Sequence, residues 1–258
     1  MPRPSAWAKL QWTRQRMVEL DAALAEFDRT NPDPVSVELD PEGPTYVYRS
    51  RQPPALPAEL PLRIGEILFG LRAALDHAVY AISSKRDLEF HSAFPIFLYP
   101  TPDWQGTGNT FGFDPDGLRK IRLLPTDAQA VVKRHQPFDH NPHPTFHPLW
   151  RLQELRNIDE HRALILAVAV VRAGSVEVRG MGSGEDLGEG VEFTGLGFHD
   201  GDVVLRLPHR PNAQFEPRFS TEVLLDEPGP WRHIPVVRIL EGIRDKVTAA
   251  VTDLQQFV

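Results

Sequence analysis

The chain has 258 residues, 28 Lys+Arg against 35 Asp+Glu for a formal net charge of −7, and no Cys. Without Cys there is no disulfide scaffold, thiolate-ligated metal or Cys nucleophile. No run approaches the roughly 18 uninterrupted apolar residues of a membrane helix, and the charged N-terminal segment lacks a signal core. A cytoplasmic protein without a membrane partner is therefore expected. The acidic total argues against a general nucleic-acid coat, while leaving room for a local basic site.

Residues 5–28 carry Leu10, Met17, Leu20, Leu24 and Phe27 at helical spacing, ended by Asn31-Pro32 and Pro34, which predicts a helix. The segments 35–40 and 45–50 flank Pro41-Glu42-Gly43 and predict a β-hairpin. The strongest helix is expected over 62–84. Ile64, Ile67, Leu68, Leu71, Leu75, Ala78, Val79 and Ile82 form its apolar stripe. Phe69, Ala73 and Tyr80 lie opposite, so burial on most sides is expected. Gly70, Ala74 and Ala81 make a small-residue line along which another helix can approach.

Residues 86–117 read as a long loop holding Phe94-Pro95-Ile96-Phe97, which is expected to plug into the core. Short helices are predicted at 115–123 and 126–135, then a Pro/His loop, then a strong helix at 148–166 with Pro148 in its first turn. That helix's core stripe is Leu152, Leu155, Ile158, Ile165 and Leu166. Short strands punctuated by Gly, Asp and Pro run from about 167 to 226, and a last helix spans 235–256. Helices, then strands, then a helix give an α+β fold, read as a single domain over 1–258: a bundle (5–28, 62–84, 115–166, 235–256) with an antiparallel sheet inserted before the last helix.

The chemistry centres on two helices. One carries Arg72, Asp76 and His77, the other Arg156, Asn157, Asp159, Glu160, His161 and Arg162. Both read Arg, four residues, His. With 23 Arg and 10 His, chance supplies about one such spacing, so context counts for more than the match. Positions five apart lie about 140° around a helix, whereas Arg72–Asp76 and Asn157–His161 share a face. Charges on apolar stripes need partners. The simplest packing sets Arg72, Asp76, His77, Asn157, Asp159, His161 and Arg162 in one polar cluster, with Asp159 holding Arg162.

Arg156-Asn157-x3-His161 resembles the Arg-polar-x3-His motif of HEPN domains, and Arg72-x4-His77 resembles it without the polar second residue. With Phe94–Phe97 between them, LRAALDH and LRNIDEHR also resemble a bacterial family of unassigned activity, over roughly residues 60–170. The HEPN resemblance implies a helical bundle and a metal-independent ribonuclease of a toxin or defence system, needing no cofactor. It implies RNA as substrate and an antitoxin or a second protomer as partner. Arg156, His161 and Asn157 would form the active set, and Arg72 and His77 a second copy at a shared cleft. The 35–50 hairpin, the inserted strands and Ala73 depart from that pattern. His can serve as base or acid to a ribose 2′-hydroxyl, and Arg can neutralise the phosphorane. Arg119, Lys120, Arg122, Lys133 and Arg134 form a basic strip suited to backbone phosphates.

Plainer alternatives stand beside these. The Arg/Asp/His cluster can be a satisfied network that fixes helix packing, in a non-catalytic binding or structural protein. His135, His140, His143 and His147 invite a metal, but match no ligand spacing and are read as incidental. The Gly-rich segments 106–113 and 180–190 lack the context of phosphate loops. The five Trp, including Trp12 and Trp104, are read as core or rim aromatics.

Overall fold

Eleven of the 24 residues of helix α2 (Glu59–Ile82) are buried, Ile64, Ile67, Leu68, Leu71, Leu75 and Val79 among them, and α2 is the axis of a helical bundle. The computed structural model describes residues 5–31, 34–52, 55–83, 92–98, 115–139, 143–172, 177–179, 192–193, 196–210 and 214–258. The fold is α+β. The chain divides into two compact units. The bundle unit takes Met1–Asp21, Ala58–Ile165 and Glu227–Val258; the strand unit takes Ala22–Pro57 and Leu166–Asp226.

In the bundle unit, α2 packs on α5 (Pro148–His161) and α6 (Val236–Gln255), and α4 (Thr126–Arg134) packs on α6. Helix α3 (Pro115–Ile121) precedes α4, two short 3-10 turns (Pro137–Asp139, Pro144–Phe146) break the Pro/His loop, and β9 (Ile234–Pro235) leads into α6. Helix α1 (Ser5–Thr30) buries Ala6, Leu10, Thr13, Met17 and Leu20. The small-residue line works as expected at Gly70, where Thr13 of α1 comes so close that a Cβ would overlap its hydroxyl. The segment 92–98 lies against α2 with Phe94 fully buried, as expected for a core plug. No helix among the described residues is long and apolar enough to cross a membrane.

Two expectations fail here. Helix α2 is not buried on most sides: Leu62, Phe69 and Tyr80 are exposed. Helix α5 stops at His161 rather than 166; Arg162 is already extended (φ −163, ψ 159), and Ile165 is exposed.

In the strand unit, the hairpin of β1 (Val35–Leu39) and β2 (Thr45–Ser50) forms as predicted and then joins the inserted segment. The sheet order is β1-β2-β6-β5, with β5 (Glu192–Phe193) and β6 (Val203–Pro208) coming from far along the chain. Strands β3 (Leu166–Arg172) and β8 (Phe219–Leu225) pair antiparallel over their whole length, and β4 (Glu177–Arg179) pairs with β7 (Gln214–Glu216). Asp28, near the end of α1, accepts from the Thr221 amide at 2.7 Å and from its hydroxyl at 2.9 Å, tying that helix end to β8.

Candidate functional site

Helices α2 and α5 run antiparallel. Gly65 meets the Asp159 carboxylate, the Arg156 guanidinium stands 5.8 Å from the Phe69 ring, and Arg72 donates to Gln153 at 3.4 Å. Each step up α2 is thus a step back along α5. His161 falls level with the start of α2 while His77 lies near its end, about 20 Å away along the axis at 1.5 Å per residue. The two motifs do not share a cleft, and the expected single cluster is divided.

The first half is a network anchored on backbone groups. Arg72, 12 % exposed, pairs with Asp76 at 3.1 Å and donates to the Phe94 carbonyl at 2.7 Å. Asp76 accepts from the Phe94 amide at 2.9 Å. The expected i,i+4 ion pair is present, and it grips the backbone of the core plug. Gln136, fully buried, grips the same segment: it donates to the Pro95 carbonyl at 2.7 Å and accepts from the Phe97 amide at 3.1 Å. Gln153 passes the network on to Asn157, donating to its Oδ1 at 3.0 Å. His77 is half-buried, and its Nδ1 is buried with no hydrogen-bond partner.

The second half lies at the other end of α5. Arg156 pairs with Glu160 at 2.6 Å, and His161 is exposed at the helix terminus. Burial raises the Asp159 carboxyl above its usual pKa; Arg156 opposes this and Glu160 adds to it. Asp159 does not hold Arg162, which reaches Glu227 through two 2.7 Å bonds. Glu227 is fully buried and also accepts from the Ile165 amide at 2.7 Å. Arg162 itself is exposed, off the core stripe, because the helix has already ended.

Beside Asp159 opens a groove of about 710 Å3 lined by Lys9, Trp12, Arg16, Leu62, Glu66 and Phe69. Trp12 is 57 % and Phe69 56 % exposed. Arg16 stacks over Trp12 at 4.3 Å, and Lys9 approaches Phe69 to 5.8 Å. Arg16 also pairs with Glu19 at 2.8 Å, and Glu66 and Asp159 balance the lining cations. The sequence pattern places Phe69 among core residues and Trp12 at core or rim. The cue it does hold is that Leu62, Glu66, Phe69 and Ala73 follow one another at helical spacing on one face.

The basic strip ends the two small helices: Arg119 and Lys120 close α3, Arg122 follows it, and Lys133 and Arg134 close α4. Arg134 reaches Asp253 at 3.7 Å, and Arg119, Arg122 and Lys133 are each engaged within the chain. The His residues of the loop diverge. His135 is buried and bonded to Asp253 at 2.9 Å, His147 caps α5 by accepting from the Leu149 amide, and His143 stands edge-on to Phe146. Among the described residues no three His, Asp or Glu converge as a ligand set. His140, Trp104 and the Gly-rich segments 106–113 and 180–190 lie outside the described residues. No family model, no curated protein and no solved structure matches this chain.

Proposed function

We propose that the chain is a non-catalytic binding protein in which the Arg72/Asp76 network is architectural and the ligand enters the groove at Trp12 and Phe69. The observation that carries this reading is that the Arg72 guanidinium and the Asp76 carboxylate both grip the Phe94 backbone. An Arg held this way is not available to neutralise a phosphorane. The groove offers two exposed aromatic faces and balanced charge. It suits a flexible, weakly charged chain with aromatic or apolar groups better than a phosphate backbone, because stacking and apolar burial supply the attraction there.

A second reading, RNA cleavage by the Arg156 motif alone, is favoured by one observation: Asn157 and His161 are both exposed. One experiment separates the two. Labelled single-stranded RNA is incubated with purified wild type, His161→Ala and Arg72→Ala, and each protein is also melted. The architectural reading expects intact RNA with all three, a lowered Tm for Arg72→Ala alone, and faster hydrogen exchange at the Phe94 amide in that variant. RNA cleavage by wild type that His161→Ala abolishes would overturn it.

A further inference from the structure

Strand β1 lies at one edge of its four-stranded sheet, and among the described residues no strand pairs with its outer side. Its ladder to β2 is bonded at even positions. The Arg51 amide donates to the Pro34 carbonyl at 2.8 Å, and the Asp40 amide donates to the Thr45 carbonyl at 2.7 Å. The alternation of an antiparallel ladder puts Ser36 and Glu38 in the same set. The N–H and C=O groups of Val35, Val37 and Leu39 therefore face outward.

These three residues also share a sheet face with Tyr48, Tyr46, Leu205 and Leu207, because directly paired residues do so. Leu205 and Leu207 are fully buried, but Val37 is 56 % and Leu39 53 % exposed. The apolar face runs past its cover and stops at an unpaired edge. Such edges are ordinarily blunted by Lys, Pro, bulges or inward charges. The sequence VSVEL has none of these, and its one charge, Glu38, lies on the other face bonded to Arg49 at 2.6 Å.

We propose that β1 pairs antiparallel with β1 of a second copy of this chain, about a two-fold axis through Val37. That register sets Val37 opposite the second copy's Val37 and Val35 opposite its Leu39, and all of these have outward backbone groups. On the other face Ser36 stands opposite Glu38, so no like charges meet. A slip of two residues, the next register that keeps the outward backbone groups paired, would set the two Glu38 carboxylates opposite each other, which is unfavourable. A shift the other way leaves Leu39 without an apolar partner. The edge is thus complementary to itself in only one register, which singles out a second copy over an unrelated strand. Two four-stranded sheets become one continuous sheet across the axis.

The chain has no Cys, so a single introduced thiol reports unambiguously. Paired Cα atoms at a hydrogen-bonded antiparallel site lie about 5.5 Å apart, within disulfide reach. Val37→Cys should oxidise to a covalent dimer. Ser36→Cys, displaced by two register steps to roughly 8 Å, should remain a monomer on a non-reducing gel. In sedimentation, wild type should run as a dimer. Val37→Pro, which removes only an outward N–H, and Val37→Lys, which sets like charges across the axis, should each weaken it by roughly tenfold or more. A monomeric wild type at high micromolar concentration would overturn the proposal. So would equal cross-linking of the two Cys variants, or a dimer that neither substitution at Val37 weakens.

Discussion

Gly70→Ala tests how closely α1 and α2 approach. A Cβ there would sit 3.5 Å from Thr13 Cβ and 3.8 Å from its Cγ2, both ordinary contacts, but would overlap its Oγ1. The remedy is a turn of the Thr13 side chain or a shift of α1. Thr13 is 1 % exposed, and its hydroxyl donates to the Lys9 carbonyl at 2.8 Å. Turning it leaves a buried hydroxyl unbonded, which costs about 1–3 kcal/mol. Against this, Ala in a helix interior gains about 1 kcal/mol over Gly. The net expectation is a loss of up to about 2 kcal/mol, seen as a Tm lowered by up to roughly 6 °C. In a Thr13→Ala background the clash disappears, and Gly70→Ala should then stabilise by about 1 kcal/mol. The check is a double-mutant cycle by thermal and urea unfolding. If Gly70→Ala raises the Tm of the wild type, the close approach at Gly70 is wrong.

Other outcomes follow from the same contacts. Glu227→Ala removes a fully buried carboxylate with three bonds to Arg162 and Ile165. It should cost about 2–4 kcal/mol in a urea titration, whereas Asp159→Ala, which leaves Arg162 paired, should cost less than about 1 kcal/mol; equal losses would contradict the pairing. Burial, reinforced by Lys246 and Arg134 and opposed by the bond to Asp253, holds the His135 ring below its usual pKa. The unfolded chain then takes up that proton first as pH falls through about 6.5, so stability should decline on acidification. His135→Gln should flatten the Tm profile between about pH 7 and 5, and parallel profiles would show that His135 does not contribute.

Much of the bundle was legible because burial imposes period 3.6 on residue type. The stripes of α1 and α2 name most of their own core residues. The end of α5 was not legible. Ile165 and Leu166 continue the apolar pattern, and the group that draws the chain away, Glu227, stands 62 positions after Ile165. The Arg72–Asp76 pair could be read from its spacing, but its main partner is a backbone carbonyl, which leaves no mark on residue type. Strands β7 and β9 have three and two residues, too few to show a period. The groove was hidden for another reason: Phe69 lies opposite the apolar stripe, and whether such a side chain is buried depends on which faces the neighbouring helices leave uncovered.

The sheet that joins the hairpin to the inserted strands also bears on synthesis. Arg206 of β6 pairs with Asp40 beside the hairpin at a separation of 166 positions. In the bundle, Trp7 of α1 donates to Gln255 of α6, 248 positions later. Neither unit can close on a partly made chain: the hairpin emerges from the ribosome long before β6, and α2 long before α6. During that interval the side of α2 that packs on α6 is uncovered, a span in which collapsed, association-prone species are favoured. Slow translation would prolong the exposure rather than shorten it, and a nascent chain halted before residue 236 should depend on a chaperone that the finished protein does not need.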